Sequence, residues 1–137
     1  MYTKEQLEGI LLTIARPEVT IYNCSRSKTG YTIRLRIMFR ANRKFLINLQ
    51  RKFEQLEVES ILREKEGQNR QAPVLIVGKK KSLEIVRSLL PNNLPCSHAN
   101  WERFDTLSYA ISNKEHLEDE GMKRLIEMID NDKKQNE

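Results

Sequence analysis

From Tyr31 to Arg40 the chain reads Tyr31-Thr32-Ile33-Arg34-Leu35-Arg36-Ile37-Met38-Phe39-Arg40, a two-residue period that separates apolar from basic side chains. Successive strand residues point to opposite faces of a sheet, so Tyr31, Ile33, Leu35, Ile37 and Phe39 are expected in a core. Arg34, Arg36, Met38 and Arg40 are expected on the other face. Neighbours on one face stand about 6.6 Å apart, and like charges that close repel unless water or an anion screens them. Phosphate accepts a guanidinium fork bidentately, which makes a polyanion the partner this strand suggests. An antiparallel sheet with one wet face would carry arginines there as well.

The charge along the chain sharpens that reading. The formal net charge is +5, but between Arg16 and Lys81 there are 16 Lys or Arg against 6 Asp or Glu, a local +10. From Glu102 onward 6 basic residues face 10 acidic ones, giving −4. A basic block confined to the strand-rich middle suits a nucleic-acid footprint on one face, although a solvated face is the plainer alternative. At 137 residues and 39% hydrophobic, the chain suits one domain over residues 1–129, followed by a polar tail over 130–137. No apolar run approaches the roughly 20 residues of a membrane helix, and Met1 to Glu5 lacks a secretory pattern, so no membrane partner and a cytoplasmic location are expected. Cys24, Cys96, His98 and His116 do not have the spacing of a zinc site or a disulfide framework. Cys96 and His98 read as structural or incidental, and no metal site or resident cofactor is expected.

Thr3-Lys4-Glu5-Gln6 reads as a capping box, so a helix is expected from Lys4, with Leu7, Ile10, Leu11 and Ile14 at helical spacing and Pro17 as its stop. Gly9 costs that helix about 1 kcal/mol relative to Ala, which suggests close approach of another backbone. Val19 and Ile21 alternate with Thr20 and Tyr22, and a turn over 25–30 leads into the basic strand, giving a long hairpin. Asn42 caps a second helix with the stripe Phe45, Leu46, Leu49, Phe53 and Leu56. A second hairpin follows, from Val58 to Lys65 and, after a turn at Gly67, from Pro73 to Val77. Its second strand is apolar enough to be covered on both faces. Helices are then expected over 82–90, 97–111 and 114–129, with a rigid connector from Pro91 to Pro95 and Met122, Leu125, Ile126 and Ile129 as core residues of the last helix.

This α+β order, αββαββα followed by carboxyl-terminal helices, resembles the single-motif LAGLIDADG homing endonucleases over nearly the whole chain. Leu7-Glu8-Gly9-Ile10-Leu11-Leu12-Thr13-Ile14-Ala15 falls on their motif, with Leu7 and Gly9 matching and Thr13 at the second small position. Lys44-Phe45-Leu46 with Leu49, and Val77-Gly78 through Leu83, agree further. The resemblance implies a homodimer packed through Leu7, Gly9, Ile10 and Thr13, and a saddle-shaped antiparallel sheet laid into the DNA major groove. Family members also carry an acidic residue at the end of the motif helix that binds a divalent metal beside the scissile phosphate. Here that residue is Ile14, which offers no oxygen to Mg²⁺.

Tyr22, Arg26, Lys28, Arg34, Arg36, Arg40, Arg63, Lys65 and Arg70 are therefore the expected contacts to double-stranded DNA, and Glu18 is the nearest candidate for a replacement catalytic acid. Lys79-Lys80-Lys81 reads as a solvated run, with contact to backbone phosphate as the alternative. The leading reading is a sequence-specific, cleavage-deficient DNA-binding homodimer. A Mg²⁺-dependent endonuclease using Glu18, an RNA-splicing cofactor of the maturase type and an unrelated protein-interaction module are the alternatives.

Overall fold

The computed structural model describes residues 2–68, 70–91 and 101–135. The elements follow the expected order: α1 (Lys4–Ile14), β1 (Ala15–Asn23), β2 (Tyr31–Arg40), α2 (Arg43–Gln55), β3 (Ile61–Arg63), β4 (Val74–Val77) and α3 (Lys80–Ser88). After the undescribed segment come α4 (Trp101–Ser112), a 3-10 turn (Glu115–Leu117) and α5 (Asp119–Gln135). The strands form one open four-stranded sheet in the order β1-β2-β4-β3. None of the described helices is long and apolar enough to cross a membrane. Most of the expected connector after Pro91, with Cys96 and His98, lies outside the described residues.

Compact packing divides the chain into two units, one of Met1–Glu18 and Arg36–Trp101 and the other of Val19–Leu35 and Glu102–Glu137. In the first, α1 opens on the expected capping box: the Thr3 hydroxyl accepts from the Gln6 N–H at 3.1 Å and the Gln6 carbonyl oxygen from the Thr3 N–H at 2.9 Å. The helix ends at Ile14, three residues ahead of Pro17 as expected, but the strand already begins at Ala15, so that Pro17 lies inside β1. The edge position of β1 allows this, because alternate residues of an outer strand point their N–H away from the ladder, where a proline costs no sheet bond. Asn42 caps α2 by accepting from the Phe45 N–H at 2.8 Å, and Leu46, Leu49 and Phe53 are fully buried. The Phe39 and Phe53 rings, 5.4 Å apart, tie β2 to α2.

All four residues of β4 are buried, as its sequence predicted. β3 is much shorter than expected and leaves Ile61 exposed. Helix α3 starts at Lys80, two residues ahead of the expected Ser82, whose buried hydroxyl accepts from the Glu59 N–H at 2.8 Å. Ser82 thus secures the approach to β3 from within the first turn of α3.

In the second unit, Val19 and Ile33 from the hairpin pack with Leu107 and Ala110 of α4 and Met122, Leu125 and Ile129 of α5. The turn that joins the strands is held by the Cys24 N–H donating to the Gly30 carbonyl at 2.8 Å, with Gly30 at φ +81°. The single helix expected over 114–129 is broken by Lys114 at φ 61° and by the 3-10 turn. A side chain at Gly121 would collide with the Glu115 carbonyl, so only glycine lets α5 start against that turn. Helix α5 continues to Gln135, into the segment expected as a polar tail.

Candidate nucleic-acid interface

Strand β2 keeps most of its expected alternation. Ile33, Ile37 and Phe39 are buried, while Tyr31, at the hairpin end, is 40% exposed. The other face departs from expectation at Met38, which is 2% exposed and clusters with Val74 and Ile76. The register explains this: Met38 stands opposite Ile76 and Arg40 opposite Val74, and residues directly opposite share a face. Ile61 and Arg63 of β3 stand opposite the same two residues of β4. The basic face of the first unit therefore carries an apolar patch among its charges.

Around that patch, Arg36 and Arg40 are held by carboxylates. The Arg40 Nε and Nη2 donate to the two oxygens of Glu66 at 2.7 and 2.6 Å, a bidentate fork. Glu18 bridges Arg36 at 3.2 Å and Arg40 at 3.5 Å, and Arg70 approaches Glu66 at 3.3 Å. The Arg36 and Arg40 side chains are only 19% and 28% exposed. The hydrogen bond from Arg40 holds the Glu66 carboxyl below the usual carboxylate range and raises the Arg40 guanidinium in turn. Glu66 reaches this place through the turn after β3, where its N–H donates to the Arg70 carbonyl at 2.9 Å and Gly67 takes φ 68°. Sequence reading missed Glu66. Its partner lies on another strand, so no local period signals the pair.

In the second unit the Arg34 guanidinium lies 5.0 Å over the Tyr22 ring, a cation–π contact on exposed residues. The Thr20 hydroxyl donates to the Tyr22 hydroxyl at 3.3 Å. Arg26 is exposed in the hairpin turn, and Lys28 meets Glu118 at 3.5 Å with both side chains about 70% exposed, a pair worth little. Cys24, in the same turn, has its thiol pulled below its ordinary range by the Thr32 hydroxyl and the N–H groups of Arg26 and Ser27.

Arg63 and Lys65, in the first unit, are exposed, as is Arg70. Lys79 at the head of α3 pairs with Glu59, and Arg43 with Glu64 at 2.8 Å, in both cases on the open surface. Of the residues expected at a dimer interface, Leu7 is buried in the chain's own core, Ile10 is half-buried, and Gly9 and Thr13 are exposed. The Thr13 hydroxyl donates to the Gly9 carbonyl at 2.6 Å, and a side chain added at Gly9 would meet nothing within 4 Å. The fold of the single chain thus does not require glycine at position 9.

At the carboxyl end of α1, Ile14 offers no ligand, and both oxygens of Glu18 are engaged by guanidinium groups. Hard divalent cations need several free oxygens, so this donor set does not suit one. Among the described residues no group of three or more His, Cys, Asp or Glu is placed to hold a metal ion.

No family model and no curated protein matches the chain. Solved structures do. The homing endonuclease I-TnaI superposes with a TM-score of 0.73 at 18% identity, over 92% of this chain and 84% of its own. The LAGLIDADG homing endonuclease I-LtrWI, solved bound to its target DNA, superposes with a TM-score of 0.73 at 24% identity. The chain has the LAGLIDADG homing endonuclease fold. The LAGLIDADG meganuclease I-CpaMI, solved bound to uncleaved DNA, gives 0.72 at 18% identity. This chain covers 92% of itself in both of the DNA-bound comparisons but spans only 42% of I-LtrWI and of I-CpaMI.

Proposed function

We propose that the chain is a sequence-specific, double-stranded DNA-binding protein that acts as a homodimer and does not cleave its target. The observation that carries this reading is the alternating basic strand β2 on a fold whose solved neighbours include DNA-bound endonucleases. Arg34, presented on Tyr22, and the exposed Arg26, Arg63 and Lys65 supply donors for phosphates and for guanine O6 and N7 in the major groove. Loss of cleavage follows from Ile14 at the acidic position and from the engagement of Glu18 by Arg36 and Arg40. Dimerisation through the Gly9 and Thr13 face of α1 gives that glycine a use the single chain does not have. A two-fold dimer reads a pseudo-palindrome.

The test is a binding and cleavage assay on a library of double-stranded DNA, with and without Mg²⁺. Shifted, uncut DNA supports the proposal. Metal-dependent cutting would instead make the chain an endonuclease with Glu18 as its acid, and preference for intron RNA over duplex DNA would favour the splicing-cofactor alternative. No shift at low salt removes DNA as the partner.

A further inference from the structure

We propose that Glu66, supported by Glu18, is a built-in competitor for phosphate at Arg40 and Arg36, making the chain discriminate against polyanions in general. The inference rests on the DNA-binding reading and assigns a selectivity role to a carboxylate that neither the strand pattern nor the fold points to.

The bidentate contact of Glu66 with Arg40 occupies the fork that a phosphate would take, at 2.7 and 2.6 Å. Side-chain exposure at this pair is 28% for Arg40 and 27% for Glu66, against 60% for each partner of the Arg43–Glu64 pair. Water screens the open pair and does much less to screen the packed one. A passing phosphate must therefore displace a well-held carboxylate to take that Nε–Nη2 fork of Arg40, and Glu18 lies 3.5 Å from the same Nη2. Non-specific duplex binding consists almost entirely of phosphate contacts, so it bears the full cost of that displacement.

A base edge can satisfy both partners once they separate. In the major groove a G·C pair offers guanine O6 and N7 to the guanidinium and the cytosine amino group to the carboxylate. The network also remains cationic, with three guanidinium groups sharing two carboxylates. The buried Arg36 Nε has no acceptor among the described residues, so the cluster is short of acceptors.

The experiment compares wild type with Glu66→Gln, Glu66→Asp and, as a surface control, Glu64→Gln. Each is titrated against a random-sequence duplex at low salt and eluted from heparin by a salt gradient, with thermal melting to establish folding. Glu66→Gln is expected to tighten non-specific binding about tenfold and Glu64→Gln less than about twofold, since the latter removes an equal charge from a screened pair. Glu66→Asp keeps the charge but withdraws the carboxylate from the fork, and is expected to tighten binding about threefold. Equal effects of Glu66→Gln and Glu64→Gln, or no effect of Glu66→Asp, would overturn the proposal. Should Glu66→Gln fail to fold, Glu66→Asp decides with the same two outcomes. Should wild type bind no duplex, the DNA reading falls by itself. The heparin arm still decides the role of Glu66: later elution of Glu66→Gln than Glu64→Gln upholds it, and equal elution ends it.

Discussion

Arg34 and Arg40 belong to the same alternate set of β2, yet they serve different ends. Arg40 is packed down and locked to Glu66 and Glu18, whereas Arg34 is exposed and rests on the Tyr22 ring. The two-residue period fixes which side of a strand a residue takes and says nothing of what crosses over to meet it. Arg40 meets carboxylates from β1 and from the turn beyond β3, and so becomes part of the fold of its unit. Arg34 meets an aromatic face from its own hairpin, which orients the cation without neutralising it.

Removing each arginine separates the two roles most strongly. Arg40→Ala takes the bidentate partner from the half-buried Glu66, leaving it Arg70 at 3.3 Å and the more distant charge of Arg36, and should cost about 2 kcal/mol of folding stability by chemical denaturation. Arg34→Ala should change stability by less than about 0.5 kcal/mol while weakening duplex binding by about 1 to 2 kcal/mol. Equal stability losses would erase the distinction between the two sites.

A pH series gives a smaller, more specific signal. The Glu66 carboxyl is lowered in the folded chain, so its contribution is present above the unfolded carboxylate value of about 4.3 and is lost as pH falls through the folded value. The melting-temperature gap between wild type and Glu66→Gln should hold near neutrality and close as pH drops below about 4. A gap that persists in acid would mean the pair acts through packing alone. The smallest effect is expected at the exposed Arg43–Glu64 pair, where a double-mutant cycle should return a coupling of about 0.2 to 0.5 kcal/mol. A coupling as large as that of Arg40 with Glu66 would show that burial is not what divides the two classes.

Much of the fold was legible because it is written locally. The Thr3 and Asn42 caps, the stripe of α2 and the apolar β4 depend on residues within a turn or two of one another. Failures arose where a distant residue intervened. The start of β1 at Ala15, ahead of Pro17, was missed because only the sheet order makes β1 an edge strand that tolerates a proline. Ser82 was misread as a helix start, although it lies within the first turn of α3, where its hydroxyl serves the Glu59 backbone. Met38 was placed outward because alternation is blind to the apolar neighbours that β4 sets across from it. The candidate interface was legible as a set of basic residues and not as a circuit, since Glu66 comes from a turn with no periodic signature.

The most direct test of DNA binding is a duplex titration across a series of salt concentrations, with wild type and Arg34→Ala side by side. The proposal predicts that log affinity falls linearly with log salt, and that Arg34→Ala binds more weakly throughout while melting as wild type does. Binding indifferent to salt, or an Arg34→Ala variant as tight as wild type, would contradict it.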